Sequence, residues 1–323
     1  MLTPAGVATL NLSHMCDKSV TRPRLHVLTG PTAVGKTALA LAWAEQHDAE
    51  IVNADSLCFY RGMDIGTAKP TAEEQARVPH HLIDIRPCRR GTSVADYVTA
   101  ARLTIDAILS RGRNVLVVGG SGFYLQGFFT PVVDNLRITP EVRERVEALF
   151  DQEGLAGVVA ALRWADPAAS AHVDLANPPR AIRALERVWQ TGRSLKDLRA
   201  EMDAVGTPFD HFDRRLTVLM RSPEELAERI FLRVDDMLRL GLIDEVRALR
   251  ADGLEENPSA ARAIGYRETL AFLDQGGRLD ELAATIAQNT RQLAKKQRTW
   301  FRHQLPEHRM MHPAEVTVET LFA

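Results

Sequence analysis

A chain of 323 residues, 45% hydrophobic and 25% charged, has room for two or three packed domains and the composition of a soluble globular protein, which excludes disordered and fibrous classes. The net charge of −2 excludes a global attraction to nucleic acid, so polyanion binding has to rest on local patches. Cys16, Cys58 and Cys88 lie far apart without a C-x-x-C pair, which argues against a zinc ribbon or a disulfide framework and suits a reducing compartment. No run approaches the roughly 18 apolar residues of a membrane span. Residues 1–24 lack the compact apolar stretch of a secretory signal, so the expectation is a cytoplasmic protein with no membrane association. Those residues read as a disordered lead-in, with Met15 as an alternative start.

In chain order, an apolar strand at 25–28 runs into Gly30, Pro31, Thr32, Ala33, Val34, Gly35, Lys36 and Thr37, which match G-x-x-x-x-G-K-[ST], and strong helix formers follow. In that strand–loop–helix setting the glycines let backbone N–H groups turn inward around phosphate oxygens. The helix N-terminus adds positive dipole, Lys36 a point charge, and Thr37 a hydroxyl for Mg²⁺. A β-rich run at 50–55 then ends in Asp55, which a parallel sheet would project beside the loop. A strand is expected at 81–85 and a helix at 94–109, with Ser93 as its cap and Val94, Val98, Ala101, Ile105 and Ile108 on one face. The buried parallel strand at 114–118 runs into Gly119, Gly120, Ser121 and Gly122, a second glycine turn where backbone and the Ser121 hydroxyl can approach a ligand.

Beyond about 131 the pattern turns helical, with amphipathic helices at 140–150 and 179–189, the second closed by Gly192. A strand returns at 215–220, and Ser222, Pro223 and Glu225 spell a capped helix start. Helices continue to about 305, and the tail past Met311 shows no assignable pattern. The expected fold class is α/β: a P-loop-type parallel sheet flanked by helices (25–130 and 212–323) with an inserted, mostly helical subdomain at 131–211. Arg291, Lys295, Lys296, Arg298 and Arg302 surround the adjacent aromatics Trp300 and Phe301 with no acid among them. Such a surface can hold a phosphate backbone and stack bases, although a solvated helix face with Trp300 in the core gives the same pattern. The run 262–267 adds a second basic and aromatic cluster. His80, His81, His303, His308 and His312 lack carboxylate or cysteine partners at ligand spacing and read as surface or packing histidines.

The phosphate loop at 30–37, Asn53 to Ser56, the run 60–70, Gly119 to Tyr124, 180–186, 263–266 and 295–302 together resemble the tRNA dimethylallyltransferases, the isopentenyl transferases of the tRNA anticodon loop, over about 25–305 and in the same order. That resemblance implies transfer of a dimethylallyl group from dimethylallyl diphosphate to N6 of adenosine 37, with release of pyrophosphate and use of Mg²⁺. It implies a diphosphate held by Gly30, Pro31, Thr32, Ala33, Val34, Gly35, Lys36 and Thr37, with Arg233 and Ser121 assisting, Thr37 on the metal and Asp55 as base. Asp55, Ser56, Leu57, Cys58 and Ser121 would touch the target base. Arg143, Pro179, Arg180, Ala181, Ile182 and Arg183 from the insertion would lie along the anticodon arm. So would Arg262, Ala263, Ile264, Gly265, Tyr266 and Arg267, and finally Lys295, Lys296, Gln297, Arg298, Thr299, Trp300, Phe301 and Arg302. A monomer is expected. The chain departs from the family pattern at Cys58, Ser121 and Ala176, where members often carry Gln nearby, Thr and Asp.

The chemistry read from the residues agrees. Breaking an allylic C–O bond places negative charge on a departing diphosphate, which needs preorganised donors, and an adenine amine must lose a proton as it attacks, which needs a carboxylate. Lys36, Thr37 and Ser121 are such donors, Arg229 and Arg233 share a helix face suited to the same task, and Asp55 is the carboxylate. In a nucleotide or metabolite kinase Asp55 would instead order Mg²⁺, but a kinase gives no reason for the 295–302 cluster. An adenylate isopentenyltransferase acting on a free nucleotide should lack the helical insertion. A non-catalytic RNA-binding module would not need Lys36, Thr37 and Asp55 together.

Overall fold

The computed structural model describes residues 22–132 and 136–323, so the lead-in and Met15 fall outside the described residues apart from the last few positions, where Arg24 already belongs to a strand. Six strands form one parallel sheet: β1 (Arg24–Thr29), β2 (Ala49–Asn53), β3 (His80–His81), β4 (Asn114–Gly119), β5 (Asp213–Leu219) and β6 (Arg309–Met311), in the order β3-β2-β4-β1-β5-β6. β1 lies at the centre, with Thr29 level with Gly119 on one side and Val218 on the other. β2 is buried at every position, as a strand covered on both faces must be: Ile51 and Val52 enter the two opposite cores, while Glu50 and Asn53 are buried with partners, His81 and Arg111 for the first and the Asp55 and Leu82 carbonyls for the second.

Helices cover both faces. α1 (Lys36–Gln46), α2 (Ala72–Arg77), α3 (Val94–Ser110) and α4 (Gly122–Gln126) alternate with the first strands. α5 (Pro140–Ala165), α6 (Pro178–Thr191) and α7 (Leu195–Val205) follow. After β5 come α8 (Pro223–Arg239), α9 (Leu242–Ala251), α10 (Pro258–Ala261), α11 (Tyr266–Gln275) and the long α12 (Leu279–Gln304). The starts are chemically fixed: Ser93 with Asp96 and Ser222 with Glu225 each form a reciprocal capping box, and Asn177 caps α6 ahead of its two prolines. One apolar cluster gathers α1, α8, α9, α11 and α12 beneath the sheet; the other packs α3 and α4 with Phe209, Phe212 and Phe301 above it. A third cluster, built from α5 and α6 around Val146, Leu162 and Leu185, is closed within the insertion.

Four local expectations change. The strand at 81–85 shrinks to His80–His81, because Leu82 and Asp84 adopt φ of 61° and 55°, which ends pairing, and the Leu82 carbonyl is taken by Asn53 Nδ2 at 3.1 Å. The helix at 140–150 runs on to Ala165 through a break at Gly154 (φ 64°, ψ −158°), which lets two helices meet at an angle. α7 arises where no separate helix was expected, with Ser194 capping it. A short strand forms at Arg309–Met311, where none was expected, with Met220 N donating to Met311 O at 2.9 Å, and the unassigned tail beyond it becomes a plug: Thr217 Oγ1 donates to Leu321 O, and Leu321 is fully buried.

Candidate active site

The phosphate loop leaves the end of β1, and its shape depends on glycine at close approaches. A Cβ on Gly30 would stand 2.5 Å from the Leu219 carbonyl oxygen, and Gly35 caps α1 at a φ of 102°, where L side chains are strained. Lys36 folds back over the loop, Nζ donating to Gly30 O at 3.0 Å and Pro31 O at 3.1 Å. Burial lowers its pKa from 10.5 to about 8, with Asp55 opposing that shift and Arg233 adding to it. Thr37 is exposed at the first turn of α1 and lines the small chamber described below.

Side chains from α8, its approach and α12 clamp the loop from outside. Arg221 Nε donates to Val34 O at 3.0 Å, Arg229 Nε to Ala33 O at 2.7 Å, and Arg233 Nη1 to Thr32 Oγ1 at 3.4 Å. Gln297 Oε1 accepts the Thr32 N–H at 2.9 Å while its Nε2 donates to Gly120 O at 3.0 Å, tying α12 to both glycine turns. Arg229 and Arg233 thus divide their tasks: the first holds loop backbone, and the second also lines the cavity. Burial pushes Arg233 down, and the charge of Asp55 pushes it back up.

Asp55 lies just past β2, locked by Asn53, whose Oδ1 accepts the Asp55 N–H at 3.0 Å and whose Nδ2 donates to Asp55 O at 2.9 Å. The neighbouring turn is fixed by contact: a Cβ on Gly119 would fall 2.2 Å from the Ala54 carbonyl carbon. Ser121 Oγ accepts the Ser56 N–H at 2.9 Å and lies 3.2 Å from Ser56 Oγ, so its hydroxyl holds the 55–58 segment, and the residue lines the larger of the two chambers described below but not the one that holds Lys36.

Two chambers meet here. A small one of about 120 Å³ is lined by Lys36, Thr37, Asn53 and Cys58. A larger one of about 500 Å³ carries an apolar wall that includes Leu57, Val234, Ile264 and Trp300. Thr32, Asp55, Thr67, Gly120, Arg233 and Gln297 line both, so Asp55 and Arg233 stand at the junction of a cationic phosphate pocket and an apolar hall. The Cys58 thiol is buried and pushed up by that burial, which keeps it protonated and unreactive.

The polyanion-binding residues expected from the sequence separate by exposure. Arg143, Pro179, Arg180 and Arg183 are exposed on the insertion, whereas Ala181 is fully buried and Ile182 packs against the same cluster, because they supply the apolar side of α6. Ser56, Leu57, Ile264 and Gly265 line the large chamber. Arg262 is exposed, Ala263 packs on the lower cluster, and Arg267 is paired with Glu268 at 2.7 Å. Tyr266 is corrected to a packing residue: it is fully buried, and its hydroxyl donates to Glu245 at 2.7 Å. On α12, Lys295, Lys296, Thr299 and Trp300 line an open groove with His303, and Arg302 is exposed. Arg298 is half-buried there. Phe301 turns into the upper core, and Gln297 serves the loop. Trp300 sits against Gly122, where a Cβ would come within 2.8 Å of the ring. His81 and His312 each meet a single carboxylate, Glu50 and Glu225, and no group of three metal-ligating side chains occurs among the described residues.

Sequence reasoning did not pick out Glu245, Arg221 or buried Lys69, whose Nζ bonds Tyr60 O, Asp64 and Asp84. The signal present was the glycine-punctuated run 60–70, which names the turn but not the α9 residue that holds it. The donor set suits Mg²⁺: the Thr37 hydroxyl is a hard oxygen ligand lining the small chamber, and Mg²⁺ is commonly held by one or two such protein groups plus phosphates and water rather than by an all-protein cage.

A family model described as IPP transferase matches residues 58–304. A tRNA dimethylallyltransferase of Opitutus terrae is 55% identical over 298 residues, covering 92% of this chain and 95% of the relative. The crystal structure of a full-length tRNA isopentenylpyrophosphate transferase from Bacillus halodurans aligns with a TM-score of 0.64 at 36% identity, over 90% of this chain and 89% of that one. A eukaryotic dimethylallyltransferase acting on tRNA aligns with a TM-score of 0.76 at 26% identity, over 86% of this chain and 70% of that one.

Proposed function

The chain belongs to the IPP transferase family, the tRNA dimethylallyltransferases, and modifies tRNA by dimethylallyl transfer; on that premise we propose that its donor is dimethylallyl diphosphate and its acceptor N6 of adenosine 37 in the anticodon loop. The single observation that carries this reading is Asp55 on the wall common to the two chambers, within reach of groups from both sides. The small chamber takes the diphosphate and the apolar hall takes the extruded base and the prenyl tail. Drawing a stacked base out of its loop costs roughly a few kcal/mol, which RNA contacts along α12 and the insertion repay.

In this mechanism Lys36, the loop amides and Arg233 hold the diphosphate and balance the charge that grows on it as the allylic C–O bond breaks. Asp55 accepts the proton of the attacking N6 as the new C–N bond forms, and pyrophosphate leaves. Thr37 would hold Mg²⁺ at this chamber, and the ion, when bound, would supply further charge neutralisation on the leaving group. Val234, Ile264 and Trp300 exclude water from the allylic carbon, which suppresses hydrolysis of the donor. The Lys295, Lys296 and Arg302 surface grips the anticodon arm, and the protein acts as a monomer.

The test is mass analysis of nucleosides from tRNA incubated with the protein, Mg²⁺ and dimethylallyl diphosphate. Prenylated adenosine at position 37 is the expected product. ATP consumption without it would support a kinase, and prenylation of free adenylate in preference to tRNA would support the nucleotide-acceptor reading.

A further inference from the structure

We propose that Glu245 is a positioning residue for Arg233, acting through the turn at 64–67; this rests on Arg233 receiving the leaving diphosphate. Glu245 is on α9 and touches neither chamber, yet its carboxylate accepts successive backbone N–H groups of that turn. Asp64 N and Ile65 N donate to Oε2 at 3.0 and 2.6 Å, and Gly66 N donates to Oε1 at 3.1 Å. The buried Tyr266 hydroxyl donates to the same Oε1 at 2.7 Å. An anion enclosed by backbone amides in this way fixes the turn more firmly than neutral hydrogen bonds do. Position 66 admits only glycine, since a Cβ there would stand 2.6 Å from the Tyr266 ring, so the turn is seated on that ring as well as on the carboxylate.

The consequence appears one residue on. Thr67 O accepts Arg233 Nη2 at 3.1 Å, while Nη1 of the same guanidinium reaches Thr32 Oγ1 of the phosphate loop at 3.4 Å. Arg233 is therefore stretched between the 64–67 turn and the loop, at the wall both chambers share. A free arginine side chain has many rotamers, and a leaving-group donor is effective only when its orientation is set before the bond breaks. The Thr67 carbonyl sets it, and Glu245 sets the Thr67 carbonyl. This gives the glycine-punctuated run 60–70 and Tyr266 a shared function that contact with RNA does not explain.

The experiment is a double-mutant cycle of Glu245→Gln and Arg233→Ala, read as the single-turnover rate of dimethylallyl transfer to tRNA, with tRNA affinity measured separately. Glutamine keeps the size but turns one accepting oxygen into an N–H₂ that faces backbone donors, so the turn loosens. Glu245→Gln should slow transfer about 10²-fold, the scale of a roughly 1 Å misplacement of a working group, and leave tRNA affinity unchanged. In the Arg233→Ala background the same change should cost less than about twofold, since the group it positions is gone. Equal losses in both backgrounds, or a loss accounted for by weaker tRNA binding, would overturn the proposal. If Glu245→Gln does not fold by circular dichroism, Tyr266→Phe enters the same cycle, keeping the ring under Gly66 and removing one donor; its smaller loss should likewise vanish without Arg233, and an additive result overturns the proposal equally. Wild-type transfer by Arg233→Ala alone would refute the assignment of Arg233 itself, whereas a slow Arg233→Ala with an additive cycle refutes only the role of Glu245.

Discussion

The kcat/KM for the diphosphate donor should fall with rising pH well before an ordinary lysine would permit, because burial takes Lys36 from 10.5 to about 8. Below that pH the side chain is an ammonium that can balance the diphosphate; above it a neutral amine remains. One unit above its pKa only about a tenth of the enzyme awaiting the diphosphate keeps the charge, so kcat/KM for dimethylallyl diphosphate, which reports the enzyme before that substrate binds, should drop about tenfold per unit beyond pH 9 or so. The fall should begin near pH 8, and kcat, which reports the complex, should hold to higher pH because the bound diphosphate favours the ammonium. Asp55 is the largest influence raising the Lys36 pKa, so Asp55→Asn should move the kcat/KM limb to lower pH. The other neighbours do not confuse the reading: the Cys58 thiol is pushed up by burial and stays protonated, and Arg233, although pushed down by burial, is a guanidinium that keeps its charge across this range. The assay is steady-state prenyl transfer at saturating tRNA and constant ionic strength. A kcat/KM level between about pH 7 and 9.5, or a limb unmoved in Asp55→Asn, would refute the argument.

Asp55→Asn should also lower the single-turnover rate by roughly 10² to 10⁴ at any Mg²⁺ concentration, as expected for a lost general base; full rescue at high Mg²⁺ would reassign Asp55 to the metal. Replacing Lys295, Lys296 and Arg298 together by glutamine should weaken tRNA binding and flatten its salt dependence by about 0.7 to 0.9 in log–log slope for each phosphate left without its cation, while donor affinity stays as it was. An unchanged slope would make that cluster a solvated helix face. Gly119→Ala forces a methyl to 2.2 Å from the Ala54 carbonyl carbon, a backbone atom that cannot swing aside. It should destabilise the fold by about 1–3 kcal/mol in urea denaturation, and a change inside about 0.5 kcal/mol would show that the turn has slack.

Short-range chemistry dictates one part of this molecule. The phosphate loop, the capping boxes at Ser93 and Ser222, the buried run of β2 and the glycine turn after β4 each follow from rules that act over a few residues, and Asp55 follows from where a parallel strand must end. What such rules could not reach was decided by partners distant in the chain. The edge strand at 309–311 exists only because β5 offers it a ladder, and a three-residue strand has too little pattern of its own to be read. Tyr266, Phe301 and Gln297 sit in runs that look basic and aromatic, but a helix has two faces, and only packing decides which one the core claims. Glu245 lies about 180 residues from the turn it holds. A carboxylate on a solvated-looking helix carries no mark of the three backbone amides it will meet until the sheet and its helices bring α9 against them.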